Sequence, residues 1–189
     1  MNIAELKAKQ KAYFLSGTTR SVEFRKNALA KLKNAIIQNE KLLNDAVMQD
    51  LHRHSTENYM CELGIVLNEI SYHQKHLSSW MRDKHVPAII GQMPASCYIS
   101  PEPYGVVLIM AAWNYPIQLN LSPLVGAISA GNCAIIKPSA YASATSNAIA
   151  KIIGETFSPE YIAVVEGGRK ENSTLLQEEF DYIFFTGSV

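Results

Sequence analysis

The sequence predicts an α/β protein in which a helical segment comes first and part of a parallel sheet follows. Three observations lead to this prediction. The 189 residues are 48% hydrophobic and carry 17 basic and 17 acidic side chains, a composition typical of a globular chain with a buried core. The charges concentrate in the first half, and none lies between Glu102 and Lys137. Beyond residue 103, short apolar runs alternate with stretches of helical periodicity.

The first predicted helix lies within the segment 1–103. Its apolar residues recur at intervals of three, four and seven, so they share one helical face. They are Leu29, Leu32, Ile36, Leu43 and Val47. Thr18, Thr19 or Ser21 can cap the start of this helix. The pattern therefore predicts one amphipathic helix whose apolar face packs against a core.

A second helix and a strand are predicted in the remainder of that segment. Apolar residues in helical phase run from about residue 56 to about residue 82, and Pro87 prevents a continuation. Residues 95–100 form a short run flanked by prolines, which favours one strand of a hairpin. We place the boundary to the second segment, 104–189, after these elements.

Strands and helices are predicted to alternate in residues 104–189. Each strand is a short apolar run of the kind that is buried on both faces. The predicted strands are 105–110, 133–136, 161–165 and 182–185, and the predicted helices are 118–130, 142–157 and 172–180. Strands that recur roughly every twenty to thirty residues with helices between them indicate a parallel, Rossmann-like sheet. Ligands bind beyond the carboxyl ends of such strands.

Composition argues against several function classes. A net charge of zero argues against a nucleic-acid-binding surface, which needs a basic excess. The three cysteines, Cys61, Cys97 and Cys133, have no CxxC spacing and no adjacent basic group, so neither a zinc ribbon nor a nucleophile is expected. The histidines form no metal-ligand motif. The first residues lack a secretory pattern, so a cytoplasmic protein is expected.

Two polar residues follow predicted strands and are candidates for chemistry. Lys137 ends an apolar strand, where its ammonium could bind ribose hydroxyls or phosphate oxygens; alternatively it is a lysine that extends its charge into solvent. Asn114 follows the first strand of the sheet, where its amide could donate a hydrogen bond to an oxyanion; alternatively it is an ordinary turn asparagine.

Two glycine sites also follow predicted strands. Gly187-Ser188 comes after the last strand, where glycine would let the backbone approach a pyrophosphate at the start of a helix. Gly167-Gly168 permits either a close approach to a cofactor or a simple turn between strand and helix.

Several motifs, taken together in this order and spacing, resemble the aldehyde dehydrogenase superfamily. They are Glu102-Pro-Tyr-Gly-Val-Val-Leu-Ile, Ala112-Trp-Asn-Tyr-Pro116, Gly126-Ala-Ile-Ser-Ala-Gly-Asn132, Ile136-Lys-Pro-Ser139 and Phe184-Phe-Thr-Gly-Ser188. The segments Thr19–Arg25 and Ser79-Trp80-Met81 are similar to the class 3 branch, which acts on fatty and aromatic aldehydes. The resemblance covers nearly the whole chain.

The resemblance implies the oxidation of an aldehyde to a carboxylic acid with NAD or NADP. In that family a cysteine thiolate attacks the aldehyde, and hydride passes to the nicotinamide. Asn114 matches the oxyanion-hole asparagine, and Lys137 matches the lysine that binds the adenosine ribose. Trp113 borders the nicotinamide side, and Gly187, Ser188 and Val189 match the start of the glycine motif near the pyrophosphate. A homodimer is implied for a full-length protein.

One residue departs from the family pattern. The family usually carries an acidic residue three positions after the lysine, where it binds the ribose 2′-hydroxyl, and this chain has Ala140 there. Loss of the carboxylate removes an acceptor for NAD+ and a repulsion against the 2′-phosphate of NADP+. We therefore expect a weakened preference for NAD+.

The resemblance also predicts what these 189 residues lack. The catalytic domain, with the nucleophilic cysteine and the general-base glutamate, is expected to be absent, so the chain alone is expected to be inactive. An alternative is a stand-alone, non-catalytic fragment that binds a nucleotide or a partner. Membrane attachment through a missing C-terminal tail stays open. An unfinished sheet would expose an apolar edge at residues 182–185, which is an aggregation risk.

Overall fold

The computed structural model describes residues 2–188. Helices fill the first part of the chain and a parallel sheet with its own helices fills the second. The helices are α1 (Ile3–Leu15), α2 (Val22–Gln38), α3 (Glu40–Leu51), α4 (Ser55–Asn58), α5 (Gly64–Trp80), α6 (Gln118–Ala130), α7 (Ser143–Thr156) and α8 (Arg169–Leu176). Short 3-10 turns cover Thr18–Arg20 and Ile90–Gln92.

The prediction of one helix through Leu29 and Val47 is wrong, because the chain breaks at Asn39. Helix α2 ends at Gln38, and the Asn39 side chain donates a hydrogen bond to the carbonyl oxygen of Ala35 at 2.9 Å. Both α2 and α3 nevertheless bury their predicted apolar residues in one core, so the periodicity identified the buried faces but not the break. Among the three predicted caps, Ser21 is the N-cap of α2, where its hydroxyl accepts the Phe24 N–H at 3.1 Å.

The second predicted helix is confirmed, with a local irregularity in its first part. Helix α4 continues through a π-helical turn, Tyr59–Leu63, into α5. A π turn rotates the side chains that follow it relative to a regular α-helix and is frequent at functional sites. Glu62 lies in this turn and is fully buried.

The predicted hairpin strand is also confirmed. Strand β2 (Cys97–Ile99) pairs antiparallel with β1 (Lys84–Val86), and Tyr98 faces His85 in the register. This two-stranded sheet is separate from the larger one. Strand β2 and the segment that connects it to β1 expose several apolar side chains, namely Ile89, Ile90, Met93, Tyr98 and Ile99.

The four predicted strands of the second segment form one parallel sheet. They are β3 (Val106–Met110), β4 (Cys133–Lys137), β5 (Ile162–Val164) and β6 (Tyr182–Phe185), in the spatial order β5-β4-β3-β6. The chain therefore runs outward from β3 to β5 and then returns to pair β6 with the other side of β3. This reversal is the switch point at which doubly wound sheets bind ligands.

The last helix differs from its predicted position at residues 172–180. Helix α8 begins at Arg169, because the Glu171 side chain accepts the Gly168 N–H at 2.7 Å and closes the first turn early. It ends at Leu176, and Asp181 then accepts the N–H of Val106 at 2.7 Å, which aligns β6 with β3.

Helices cover both faces of the sheet, which explains its uninterrupted apolar strands. Val107 and Ile109 point into the core formed with α2, α3, α5, α6 and α7. Leu108 and Met110 point into a smaller core formed with α1 and α8. Strand β6 is different: all four of its side chains are exposed, as predicted for an apolar sheet edge.

Candidate functional site

A cavity of about 400 Å³ lies at the carboxyl edge of the sheet. The end of β4, the loop after β5 and the ends of β3 and β6 form its walls. Residues Lys137, Ala140, Gly167, Arg169, Asn172 and Phe185 contribute to its lining. Its position is the one predicted for a ligand site in a parallel sheet.

Lys137 is buried in the wall of this cavity, with only 3% of its surface exposed. Its Nζ donates hydrogen bonds to the carbonyl oxygens of Pro138 and Gly167, each at 2.7 Å. Burial lowers the pKa of Lys137, while Glu171 and Glu166 act in the opposite direction. The ammonium thus points inward rather than into solvent. It has three N–H donors, and the contacts within residues 2–188 use two of them.

Gly167 and Gly168 shape the loop that receives the lysine. Gly167 has a φ of 131°, and a Cβ on it would lie 2.4 Å from Glu171 Oε2. The backbone therefore passes close to the glutamate while its carbonyl faces Lys137. The geometry is compatible both with a close approach to a cofactor and with a simple turn between strand and helix, because this turn also lines the cavity.

A buried polar atom in the cavity wall has no partner within the described residues. Asn172 Oδ1 makes no hydrogen bond there. Because a buried acceptor without a donor is costly, such an atom marks a place where a ligand or water is expected. Ala140 lies in the same wall and is exposed, as is Arg169.

Three carboxylates close the N-termini of the three sheet helices in the described part of the chain. Glu62 Oε2 accepts the N–H groups of Ile117 and Gln118, at 2.6 and 2.9 Å, at the start of α6. Asp50 accepts the N–H groups of Ala144 and Thr145, at 3.1 and 2.7 Å, at the start of α7. Glu171 closes α8. Each carboxylate occupies N–H donors and places a negative charge at the helix start, which disfavours an anionic phosphate there.

Asn114 lies in the loop between β3 and α6, on the same edge of the sheet as Lys137. Trp113 and Asn114 are exposed, Trp113 to 52%. Arg53 Nη2 donates a hydrogen bond to the carbonyl oxygen of Asn114 at 2.7 Å, and its guanidinium carbon lies 4.8 Å from the centre of the Tyr115 ring. The structure therefore brings Asn114 and Lys137 to one edge but gives them different surroundings.

The predicted glycine motif lies at the end of the described residues. Gly187 is exposed, and a Cβ on it would lie 2.5 Å from the ring of Phe185, so this position requires glycine or a shifted ring. Ser188 follows it and is exposed. Val189, the third residue of that prediction, lies outside the described residues.

The cysteines and histidines are the remaining side chains that could act as nucleophiles or metal ligands. Burial raises the pKa of the Cys133 thiol to about 12, which makes it unsuitable as a nucleophile. Cys61 and Cys97 are partly buried and free. His73 Nδ1 is hydrogen-bonded to Ser129 Oγ at 2.7 Å. Residues 2–188 contain no cluster of three or more metal-ligating side chains.

Sequence reasoning missed Arg53, Glu62 and Asp50. Glu62 acts on backbone groups 55 residues away, and Asp50 on groups 94 residues away. No local pattern marks such contacts, because periodicity reports which face of a helix is buried and not which partner it meets.

Comparison with known proteins identifies the family. The sequence model that describes the aldehyde dehydrogenase family matches residues 3–189 of this chain. The chain belongs to the aldehyde dehydrogenase family. Its fold agrees: the solved structure of a substrate-bound Staphylococcus aureus AldH superposes with a TM-score of 0.96 at 45% identity, over 100% of this chain and 41% of that one. Betaine aldehyde dehydrogenase from the same organism shares the fold at 20% identity, with a TM-score of 0.75 over 86% of this chain and 33% of that one.

Several aldehyde dehydrogenase relatives belong to family 3, which confirms the resemblance to the class 3 branch. Human aldehyde dehydrogenase family 3 member B1 is 42% identical over 93% of this chain and 37% of its own length. The 4,4'-diaponeurosporen-aldehyde dehydrogenase of Staphylococcus aureus is 45% identical over the whole chain and 41% of its own length. A dog enzyme named dimeric and NADP-preferring is 40% identical over 98% of this chain and 41% of its own length. The chain thus spans about two fifths of these relatives.

In the part of the chain that the structure describes, no helix combines the length and apolar character needed to cross a membrane.

Proposed function

We propose that the complete protein to which this chain belongs oxidises aldehydes to carboxylic acids with NAD+ or NADP+, and that this chain forms the wall of the cofactor site. The observation that supports the proposal is the burial of Lys137 in a cavity at the carboxyl edge of a family-type sheet. Residues 104–189 would then be the first part of the cofactor-binding domain. Residues 1–103 share its main core through α2, α3 and α5.

The residues present fit the adenosine end of such a cofactor. Lys137 keeps one N–H donor for a ribose hydroxyl, and Asn172 contributes to the lining of the same cavity. The carboxylates at the starts of α6, α7 and α8 disfavour a pyrophosphate at those helices, because they occupy N–H donors and carry negative charge. The pyrophosphate would instead meet the backbone around Gly187, Ser188 and Val189.

Asn114 would act on the substrate. When bound, the cofactor supplies the acceptor for the hydride of the aldehyde. The Asn114 amide would donate a hydrogen bond to the oxygen that becomes negatively charged when a thiolate attacks the carbonyl carbon. Trp113, beside it, would border the nicotinamide. We propose that the nucleophile and the general base are not among these 189 residues, since Cys133 is buried with a raised pKa and neither Cys61 nor Cys97 matches the family motif.

Ala140 would shift the choice of cofactor. It lies exposed in the cavity wall, and Arg169 contributes to the same wall. A site that lacks a carboxylate and keeps a guanidinium should tolerate the 2′-phosphate of NADP+. The NADP-preferring relative is in line with this proposal. Calorimetric titrations of the Ala140→Glu variant with both cofactors test it, and unchanged discrimination in the variant would refute it.

Lys137→Ala tests the cofactor site itself. Loss of a charge-assisted hydrogen bond should weaken NAD(P)+ binding by about 10- to 100-fold. Lys151→Ala, at an exposed position of α7, is the matched control and should bind normally. Activity of the complete protein is measured as formation of reduced nicotinamide with an aldehyde. Equal affinity of both variants would contradict the assignment of Lys137.

Two further expectations concern the complete protein. We propose that it is a homodimer, in line with the dimeric relative and with the exposed apolar side chains around β1 and β2. We also propose a cytoplasmic location, in line with three cysteines that are free in the structure.

A further inference from the structure

The starting observation is a buried carboxylate with partners on both of its oxygens. Glu62 has no exposed surface. Its Oε2 accepts the N–H groups of Ile117 and Gln118, and its Oε1 accepts a hydrogen bond from Arg53 Nη1. Such a group needs all of its partners, because an unpaired buried charge is strongly destabilising. Glu62 therefore fixes the position of the Arg53 guanidinium relative to the start of α6.

Arg53 uses the other side of its guanidinium on the loop before α6. Its side chain is only 12% exposed. Nη2 donates to the carbonyl oxygen of Asn114, and the guanidinium packs over the Tyr115 ring. One planar group thus holds two successive residues of this loop. A lysine cannot reproduce this arrangement, because its ammonium is a point charge without the planar fork.

The rest of the loop is anchored on both sides of Asn114. Before it, the N–H of Ala111 donates to the carbonyl oxygen of Lys137 at 3.2 Å. The N–H of Leu119 donates to the carbonyl oxygen of Tyr115 at 3.0 Å, and Asn120 Nδ2 donates to that of Pro116 at 2.6 Å. Both contacts belong to the first turn of α6 and its entry. Trp113 and Asn114 precede them and are exposed. Among the contacts of residues 2–188, the Arg53 hydrogen bond is the one that reaches Asn114 itself, between these two anchored ends of the loop.

We propose that Arg53, held in place by Glu62, is a positioning residue that fixes the backbone of Asn114 and so orients its side-chain amide for the oxyanion. This inference rests on the proposed function, because it concerns the role of Asn114 in aldehyde oxidation. An oxyanion donor stabilises a transition state only when it is oriented before the reaction. A fixed carbonyl on the same residue restrains that orientation.

The competing explanation is purely structural: Arg53 would only pair with Glu62 and tie the helical segment to α6. The variant Arg53→Lys separates the two explanations. A lysine can still pair with Glu62, so the fold should persist, but it cannot also bind the Asn114 carbonyl and pack over Tyr115. Arg53→Met removes both functions. Arg20→Met is the matched control, because Arg20 forms an exposed pair with Glu102.

The first readout needs no enzyme activity. The chain has two tryptophans, so a Trp80→Phe background leaves Trp113, next to Asn114, as the sole tryptophan, which is excited selectively at wavelengths that tyrosine does not absorb. Acrylamide quenching of Trp113 in the 189-residue chain then reports the order of the loop. We expect stronger quenching in Arg53→Lys, with an unchanged circular dichroism spectrum and a melting transition that stays cooperative. Arg20→Met should match the parent.

The second readout uses the complete enzyme. A positioning role predicts that Arg53→Lys lowers kcat by about tenfold while KM and the cofactor Kd stay near the parental values, since orientation is lost only in the transition state. Normal Trp113 quenching together with a normal kcat in Arg53→Lys would overturn the proposal, even if Arg53→Met does not fold. If the parent enzyme lacks aldehyde oxidation, the proposed function fails; unchanged quenching in Arg53→Lys would separately refute the loop contact.

Discussion

Replacing Gly131 with alanine should cost this protein a large part of its stability. Gly131 ends α6 with a φ of 89°, a left-handed conformation that non-glycine residues adopt at a cost of about 1–2 kcal/mol. A Cβ at this position would lie 2.5 Å from Nη2 and 2.6 Å from Cζ of Arg25. The variant therefore combines backbone strain with a steric conflict.

The conflict is costly because the Arg25 guanidinium cannot move aside freely. It is buried, with Nε donating to the carbonyl oxygen of Thr19 at 2.9 Å and Nη1 to that of Ser129 at 3.1 Å. Loss of a hydrogen bond from a charged donor costs about 1.5–3 kcal/mol. Together with the strain, we expect Gly131→Ala to lower the free energy of unfolding by about 2.5–5 kcal/mol, a large share of the 5–15 kcal/mol typical of a domain.

Urea unfolding followed by circular dichroism measures this loss. The matched control is Gly154→Ala in α7, where a Cβ meets no atom within 4 Å and should raise stability by about 0.5–1 kcal/mol. In an Arg25→Met background, Gly131→Ala should cost only the backbone strain of about 1–2 kcal/mol. A loss below about 1 kcal/mol in the parental background would show that the guanidinium yields without penalty, and would refute this reasoning.

Three further predictions concern other contacts of the fold. Asp50→Ala should lower the free energy of unfolding by about 2 kcal/mol, because it removes the α3 carboxylate that accepts hydrogen bonds from Thr145 at the start of α7; an unchanged urea midpoint would contradict it. A thiol reagent near neutral pH should spare Cys133 until the chain unfolds, because its pKa is about 12; rapid reaction of the folded chain at this residue would contradict it. Burial acts to raise the pKa of Asp181, but hydrogen bonds from Lys11 and the Val106 N–H hold this pKa below its ordinary value of 3.8. The ionised carboxylate therefore stabilises the fold above pH 3.8, and this stabilisation is lost as the pH falls below that value. The stability difference between the parent and Asp181→Asn, at most about 1 kcal/mol for this solvent-screened group, should therefore shrink in urea titrations as the pH drops below 4.

Much of the fold could be predicted from local patterns. The strands appeared as apolar runs because helices cover both faces of the sheet, and α6 ended at Gly131 because its left-handed conformation favours glycine. The break at Asn39 could not be predicted. The seven-residue interval from Ile36 to Leu43 fits one continuous helix as well as two helices that face the same core.

The candidate site was predictable only in part. Lys137 and Asn114 could be placed at one edge because both follow neighbouring parallel strands. The burial of the Lys137 ammonium between two carbonyl groups depends on the Gly167 loop, which comes 30 residues later in the chain. The start of α8 was predicted three residues late, since the side chain of Glu171 substitutes for a conventional capping residue.

The sequence by itself determined the class of fold and the position of the chemistry-bearing residues along the chain, because apolar periodicity and glycine positions are local properties. The order and spacing of its motifs carried the resemblance to the family. Tertiary structure alone decided which charged groups meet. Arg53 and Glu62 reach the Asn114 loop, and Asp50 reaches α7, only because packing of the helical segment on the sheet brings distant residues together. These contacts bury carboxylates at helix N-termini, and their stability comes from the hydrogen bonds that a folded environment provides and an isolated segment does not.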